Sequence, residues 1–317
     1  MNDLNIPVFD DITDAHERIR PYIHKTPVLS SSQLNEIFSA ELYFKCENFQ
    51  KVGAFKFRGA TNAVFSLGED ELARGVITHS SGNHAAALAL AARMRGTKAY
   101  IVMPSNSPVV KKQAVASYGA EINYCRPVLR AREETAAGIM EKTGAVFIHA
   151  YDNFNVISGQ GTAGLELIKE YPDLDAVIGP VGGGGLMSGT SIAVKALSKN
   201  TAVYGAEPLG ADDAYRSIKT GRHVDYHEPD TIADGLLTTL SKRTFAILSS
   251  RLDDIFTVSE ESIIQSMRLI WERMKIIIEP SSAVTLAVIA ENPELFKNKK
   301  TGVILSGGNV DLQNLPF

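Results

Sequence analysis

Between residues 75 and 150 the chain repeats one pattern, a short apolar run followed by a helical stretch. Val76-Ile77-Thr78, Tyr100-Ile101-Val102-Met103, Ile122 to Cys125 and Val146-Phe147-Ile148 have strand length. Between them stand Ala85 to Met94, stopped at Gly96, then Val109 to Tyr118, ended by Gly119, and the charged stretch Leu129 to Lys142. Strands this short and apolar leave no wetted face, which implies parallel sheet covered by helices on both sides. A second series starts at Gly159. Helix is expected over Gly164 to Lys169, Leu186 to Leu197 and Ser282 to Ile289, and strand over Ala176 to Ile178, Val203 to Ala206 and Val303 to Leu305. Ser259 caps a further helix with Ile263, Met267, Ile270 and Met274 on one stripe, which is core packing. The fold class is therefore α/β, with two open, mostly parallel twisted sheets covered by helices. Residues 75–150 read as a small domain. Residues 1–66 carry a helix from Asp11 and a strand from Leu42 to Cys46 but little core of their own, so they join 152–317 in a large domain.

Composition narrows the function classes. A formal charge of −4 over 317 residues, with no long basic run, disfavours nucleic acid as the main partner. No apolar run is long enough to span a bilayer, and the first twenty residues lack a charged-then-apolar leader. Cys46 and Cys125 lie in separate strand-like segments without metal-ligand spacing, which suits two buried thiols in a reducing compartment. The expectation is a soluble, cytoplasmic protein.

Four stretches can carry chemistry. Lys56 sits in Gly53-Ala54-Phe55-Lys56-Phe57-Arg58-Gly59-Ala60, where a strand-like run gives way to a helical pattern. A lysine in apolar surroundings loses hydration, and its neutral amine can form a Schiff base with a carbonyl. Taken alone, such a lysine more often snorkels to water. Gly182-Gly183-Gly184-Gly185 lies between a strand and a helix, where bare backbone can form a nest of N–H groups for phosphate. It is neither a dinucleotide fingerprint nor a P-loop, and a plain turn needs fewer glycines. Ser80-Ser81-Gly82-Asn83-His84 also joins a strand to a helix and could hold a carboxylate, although an ordinary N-cap looks the same. Ser306-Gly307-Gly308-Asn309 follows the last strand. Ligands of open α/β sheets collect at the carboxyl ends of strands. Three such ends and a desolvated lysine suit a molecule with both a phosphate and an aldehyde, and pyridoxal 5′-phosphate has both.

With these motifs the chain resembles the pyridoxal-phosphate serine/threonine dehydratase family of the tryptophan-synthase-β fold group, and within it the serine racemases and threo-3-hydroxyaspartate dehydratases. The resemblance runs from Thr26-Pro27-Val28 to Gly308-Asn309-Val310-Asp311. Lys45-Cys46-Glu47, Glu207-Pro208 and Ile232-Ala233-Asp234-Gly235 belong to it as well. It implies fold type II, with the cofactor in the cleft between a large domain and a small, mobile one. The implied reaction is dehydration of L-serine, L-threonine or 3-hydroxyaspartate to a 2-oxo acid and ammonia. Serine racemisation would be a second activity or the principal one. A silent amino-acid-binding protein and a β-replacement synthase are the rivals. Intact Lys56 opposes the first; the Asn83-His84 pair, where synthases usually show threonine after the asparagine, opposes the second.

Residue by residue, the resemblance makes Lys56 the Schiff-base lysine and the base on one face of the substrate. Ser81 becomes the proton donor on the other face. Gly182 to Gly185 would hold the phosphate, Asn83 the ring hydroxyl and Ser306 the pyridine nitrogen, with Phe55 and Glu279 also against the cofactor. Ser80, Ser81, Asn83, His84, Arg132 and Thr238 would face the substrate; Arg132 lies in an arginine-rich helix with Arg126 and Arg130, where a solvated face is the ordinary reading. Glu207, Ala211 and Asp213 match a divalent-cation site for magnesium, calcium or manganese; a capped acidic helix start is the plainer reading. Ser31, Ser32, Lys51 and Tyr118 match part of an ATP site, but Ala86 stands in place of a glutamine and Tyr151 in place of an asparagine. The family suggests a homodimer acting on a small amino acid.

Overall fold

The computed structural model describes residues 4–107 and 109–317. Among the described residues there are ten strands: β1 (Val28–Leu29), β2 (Glu41–Cys46), β3 (Val76–His79), β4 (Ala99–Pro104), β5 (Glu121–Cys125), β6 (Val146–Phe147), β7 (Ala176–Pro180), β8 (Ala202–Pro208), β9 (Asp254–Val258) and β10 (Lys300–Leu305). They form a six-stranded sheet ordered β1-β2-β10-β7-β8-β9 and a four-stranded sheet ordered β5-β4-β3-β6. Every pairing is parallel except β1 with β2. Parallel neighbours need crossover helices, and these cover both faces. No helix among the described residues is long and apolar enough to cross a membrane. Both cysteines are free; Cys46 is buried on β2 and Cys125, on β5, is only partly so.

The small sheet does not build its core alone. Phe57, Ala60, Ala63 and Val64 of the helix Lys56–Phe65 pack with Ala85 to Ala92 of the helix Asn83–Arg95 and with Ile101 and Met103 of β4. The helix that begins at Lys56 therefore belongs to the seam between the two sheets.

The second series holds a longer helix than its pattern predicts. Helix runs from Phe154 to Glu170, not from Gly164. Gly159, Gly161 and Gly164 weaken the helical signal, since glycine costs about 1 kcal/mol in a helix interior. Here they admit neighbours: a Cβ on Gly159 would stand 2.6 Å from the Arg58 carbonyl oxygen, and one on Gly161 would stand 2.9 Å from Gly189. Close packing of the helices Phe154–Glu170, Gly185–Leu197 and Lys56–Phe65 overrides local propensity.

Candidate active site

The carboxyl ends of β3, β7 and β10 open onto one cavity of about 1000 Å³. Its wall includes Phe55, Lys56, Ser80, Ser81, Asn83 and His84. Arg132, Gly182 to Gly185, Thr238, Glu279 and Ser306 complete the expected set there.

Lys56 is the first residue of its helix, reached through a backbone turn in which Val52 and Gly53 have φ of 58° and 69°. Its Nζ donates to the Ala150 carbonyl oxygen at 3.0 Å and stands 5.0 Å from the centre of the Phe55 ring. Burial lowers its pKa to about 8, against the pull of the Glu279 carboxylate. The amine is thus much closer to its neutral, nucleophilic form than a lysine in water.

The helix is moored by charges the cavity never sees. Arg58 Nε donates to Glu47 at 2.7 Å, and its two terminal nitrogens donate to Glu166 at 2.8 Å each. Lys45 Nζ reaches Glu166 at 2.6 Å, and Thr26 Oγ1 donates to Glu47 at 2.6 Å. Burial works against the charge on Glu166, yet Arg58 and Lys45 hold its carboxyl down to about 2. The motif residues Lys45, Glu47 and Arg58 therefore serve this buried network, which fixes the backbone two residues after Lys56.

Elsewhere on the cavity wall, Gly184 takes φ +80° just before the helix Gly185–Leu197. Each glycine of the quartet is hemmed in. A Cβ would lie 2.9 Å from Leu236 Cα at Gly182, 2.3 Å from the Tyr151 ring at Gly183, and 2.7 Å from Gln160 Oε1 at Gly185. Tyr151, which stands in place of the asparagine of the nucleotide set, is thus part of the cavity wall.

A chain of amides and a carboxylate crosses the floor. Asn309 Nδ2 donates to Asn83 Oδ1 at 2.8 Å, and Asn83 Nδ2 donates to Glu279. The Asn309 backbone N–H also donates to Glu279, at 3.2 Å. Burial, and then Asp234, push the Glu279 carboxyl up to about 7. Ser306 Oγ lies 3.1 Å from Ser282 Oγ, whose proton goes to the Gly307 carbonyl oxygen. Lys111 pairs with Asp234 at the rim, joining the helix Val109–Ser117 to the turn Asp234–Leu236.

On the β3 side, Ser80 Oγ accepts from the Gly82 N–H at 3.3 Å. The His84 ring donates from Nε2 to the Ile148 carbonyl oxygen at 3.1 Å, and burial followed by Lys56 lowers its pKa to about 3. A neutral ring with its one proton spent on Ile148 leaves only the His84 backbone N–H for an anion. Arg132 is no solvated face: it lines the cavity, and its Nε is buried without a partner among the described residues.

Glu207, Ala211 and Asp213 stand apart, at the end of β8 and the start of the helix Asp213–Thr220. The Glu207 oxygens accept from the backbone of Ala214 at 3.2 Å and Tyr215 at 2.7 Å, and Asp213 Oδ2 accepts from Leu240 at 3.1 Å. Asp213 Oδ1 is buried and has no hydrogen-bond partner among the described residues. Burial and the neighbouring Asp213 lift Glu207 well above the usual carboxylate range; burial lifts Asp213 to about 6. Two desolvated carboxylates with an orphaned oxygen suit a cation. No three His, Cys, Asp or Glu side chains among the described residues form a metal cluster, so carbonyl and water would complete the shell.

The remaining set does not reach the cavity. Ser31 caps the helix Ser32–Phe38 by accepting from the Leu34 N–H at 3.4 Å. Lys51 Nζ lies 5.8 Å from the Phe57 ring, and the Tyr118 ring stacks with the Arg93 guanidinium at 5.7 Å.

The chain is similar to known proteins over nearly its whole length. The serine racemase of Dictyostelium discoideum is 53% identical over 312 residues, covering 96% of this chain and 95% of that protein. The beta-hydroxyaspartate dehydratase of Paracoccus denitrificans is 49% identical over 312 residues, covering 98% and 99%. The crystal structure of the Dictyostelium serine racemase superposes with a TM-score of 0.92 at 52% identity, over 97% of this chain and 100% of that one. Such neighbours share the fold type II arrangement of two mostly parallel sheets. Residues 19–307 match the model of the family described as pyridoxal-phosphate dependent enzyme, and the chain belongs to that family.

Proposed function

We propose that the chain is an ammonia-lyase that dehydrates a β-hydroxy amino acid (L-serine, L-threonine or 3-hydroxyaspartate) to a 2-oxo acid and ammonia, with serine racemisation as a second activity of the same site. The observation that carries this reading is the single cavity shared by Lys56, the glycine turn, Ser306 and the Ser80–Gly82 turn. Relatives named serine racemase and beta-hydroxyaspartate dehydratase support it.

Pyridoxal phosphate, when bound, supplies an electron sink for loss of the substrate α-proton. The backbone N–H groups of Gly182 to Gly185, at a helix N-terminus, would hold the phosphate. Lys56 would hold the cofactor covalently and would serve as the base for the substrate α-proton. Asn83, its amide already oriented by Glu279 and Asn309, would meet the ring hydroxyl, with Phe55 against the ring. Ser306 would meet the ring nitrogen as a neutral hydroxyl partner, not a carboxylate. Ser80, Ser81 and the start of the helix Asn83–Arg95 would bind the substrate carboxylate. Arg132 and Thr238 would face the rest of the substrate. Ser81 would return a proton from the face opposite Lys56.

Glu207, Asp213 and the Ala211 carbonyl would hold magnesium, calcium or manganese. ATP stays outside this reading, because Ala86 is packed in the core and Tyr151 belongs to the cavity wall. Residues 75–150 would move as a small domain over the large one, in a cytoplasmic homodimer.

One panel tests the reading. L-serine, D-serine, L-threonine and L-threo-3-hydroxyaspartate are assayed for 2-oxo acid and for the opposite enantiomer, with and without EDTA. At least one L-substrate should release its 2-oxo acid. A protein that forms none, but joins sulfide to an activated serine, would be a β-replacement synthase instead.

A further inference from the structure

The cation site and the substrate cavity share one irregular segment. Residues 222–232 carry no helix or strand. They are pinned where Val224 N–H donates to Ser217 Oγ at 2.9 Å, where His223 donates to the Leu240 carbonyl oxygen at 2.8 Å, and where Asp230 N–H donates to Gly210 at 2.8 Å. Asp225, Tyr226 and His227 between these pins line the cavity.

His227 is out of place as an ordinary surface residue. Its side chain is 7% exposed, and neither ring nitrogen has a hydrogen-bond partner among the described residues. Its Nε2 faces Asp213 Oδ1 across 3.6 Å. That oxygen is the open acceptor of the acidic pair, since backbone N–H groups take both Glu207 oxygens and Asp213 Oδ2. The separation is too long for a direct hydrogen bond, and two buried polar atoms left unbonded face to face are costly. A third group that bonds both would relieve them.

We infer that His227 is a positioning residue for the cation, joining it to the wall of the substrate cavity. Asp213 Oδ1 binds the ion, and His227 Nε2, with the ring proton on Nδ1, accepts a hydrogen bond from a water in the ion's shell. Groups of this kind orient ligands and commonly change metal affinity about 10- to 100-fold. Anchoring His227 also steadies Asp225 and Tyr226, so the ion acts on the substrate wall without touching substrate. This inference rests on the cation reading of Glu207 and Asp213.

The test uses the coenzyme-loaded protein with Mn²⁺ as the probe. Free Mn²⁺ is counted by electron paramagnetic resonance, and amide hydrogen exchange is followed over residues 224–228. His227→Leu should weaken Mn²⁺ binding at least tenfold, and His227→Asn, which keeps a polar group for water, should restore most of it. Mn²⁺ should slow exchange over 224–228 in the wild type and not in His227→Leu. Wild-type affinity in both variants, or wild-type exchange indifferent to Mn²⁺, overturns the role of His227 while the cation site stands. A wild type that retains no Mn²⁺ removes the cation reading and this inference with it.

Discussion

Asn83 Nδ2 donates to both carboxyl oxygens of Glu279, at 3.1 Å each, and so ties the start of the helix Asn83–Arg95 to the start of the helix Pro280–Glu291. The acceptor is a carboxyl whose pKa burial has raised to about 7 from an ordinary 4.5. In the folded chain it keeps a proton that the unfolded chain has already released. Between those two values the folded state binds more protons, so its stability falls as pH rises. The coenzyme-free Glu279→Gln variant should lose this slope. Melting temperatures taken from pH 4.5 to pH 7 should decline less in the variant than in the wild type, and parallel curves would remove Glu279 as the source.

Lys56 should capture an aldehyde at lower pH than an ordinary lysine. Its neutral fraction grows about tenfold per pH unit below the pKa, so the rate at which coenzyme-free protein takes up pyridoxal phosphate should climb to about pH 8 and then level. A rate still climbing towards 10.5, the ordinary value, would contradict the desolvated amine. Lys56→Ala should show no covalent coenzyme band and no turnover.

Ser81 separates the two proposed activities. Elimination can run with the lysine alone, whereas racemisation needs a second proton-transfer group. Ser81→Ala should abolish D-serine formation and leave release of 2-oxo acid from an L-substrate largely intact. Equal loss of both activities would return Ser81 to simple carboxylate binding.

Glu166 is expected to matter for stability far more than its distance from the cavity suggests. Glu166→Gln leaves Arg58 and Lys45 short of a counter-charge in a dry site, and breaking buried pairs typically costs about 3–5 kcal/mol. Chemical denaturation should show a loss of this size near neutral pH. Because the folded carboxyl sits at about 2, the stability it confers is present above 4.5 and lost as pH falls towards 2. The gap between variant and wild type should close over that window.

Much of the fold is legible in the sequence, because buried parallel strands are short apolar runs that little else imitates. What escapes is set by packing. The front of the helix Phe154–Glu170 reads as irregular because its glycines report neighbours far along the chain. Strand β9, Asp254-Ile255-Phe256-Thr257-Val258, is too mixed in character to stand out. The cavity gathers the residues the motifs single out, yet its wiring is long-range. Asn309 reaches Asn83 across 226 residues, and Arg58 reaches Glu166 across 108. No local pattern announces such partners. Tyr151 and Arg132 show the same limit, since their placement follows from the closing of the two sheets.

The four glycines between β7 and its following helix each answer a different obstruction: a backbone at 182, an aromatic ring at 183, a left-handed turn at 184 and a glutamine at 185. A descendant that abandoned vitamin B6 chemistry altogether would still keep the quartet for as long as it kept those obstructions. On the proposed chemistry, therefore, the loss of Lys56 would mark lost catalysis sooner than any erosion of the glycines.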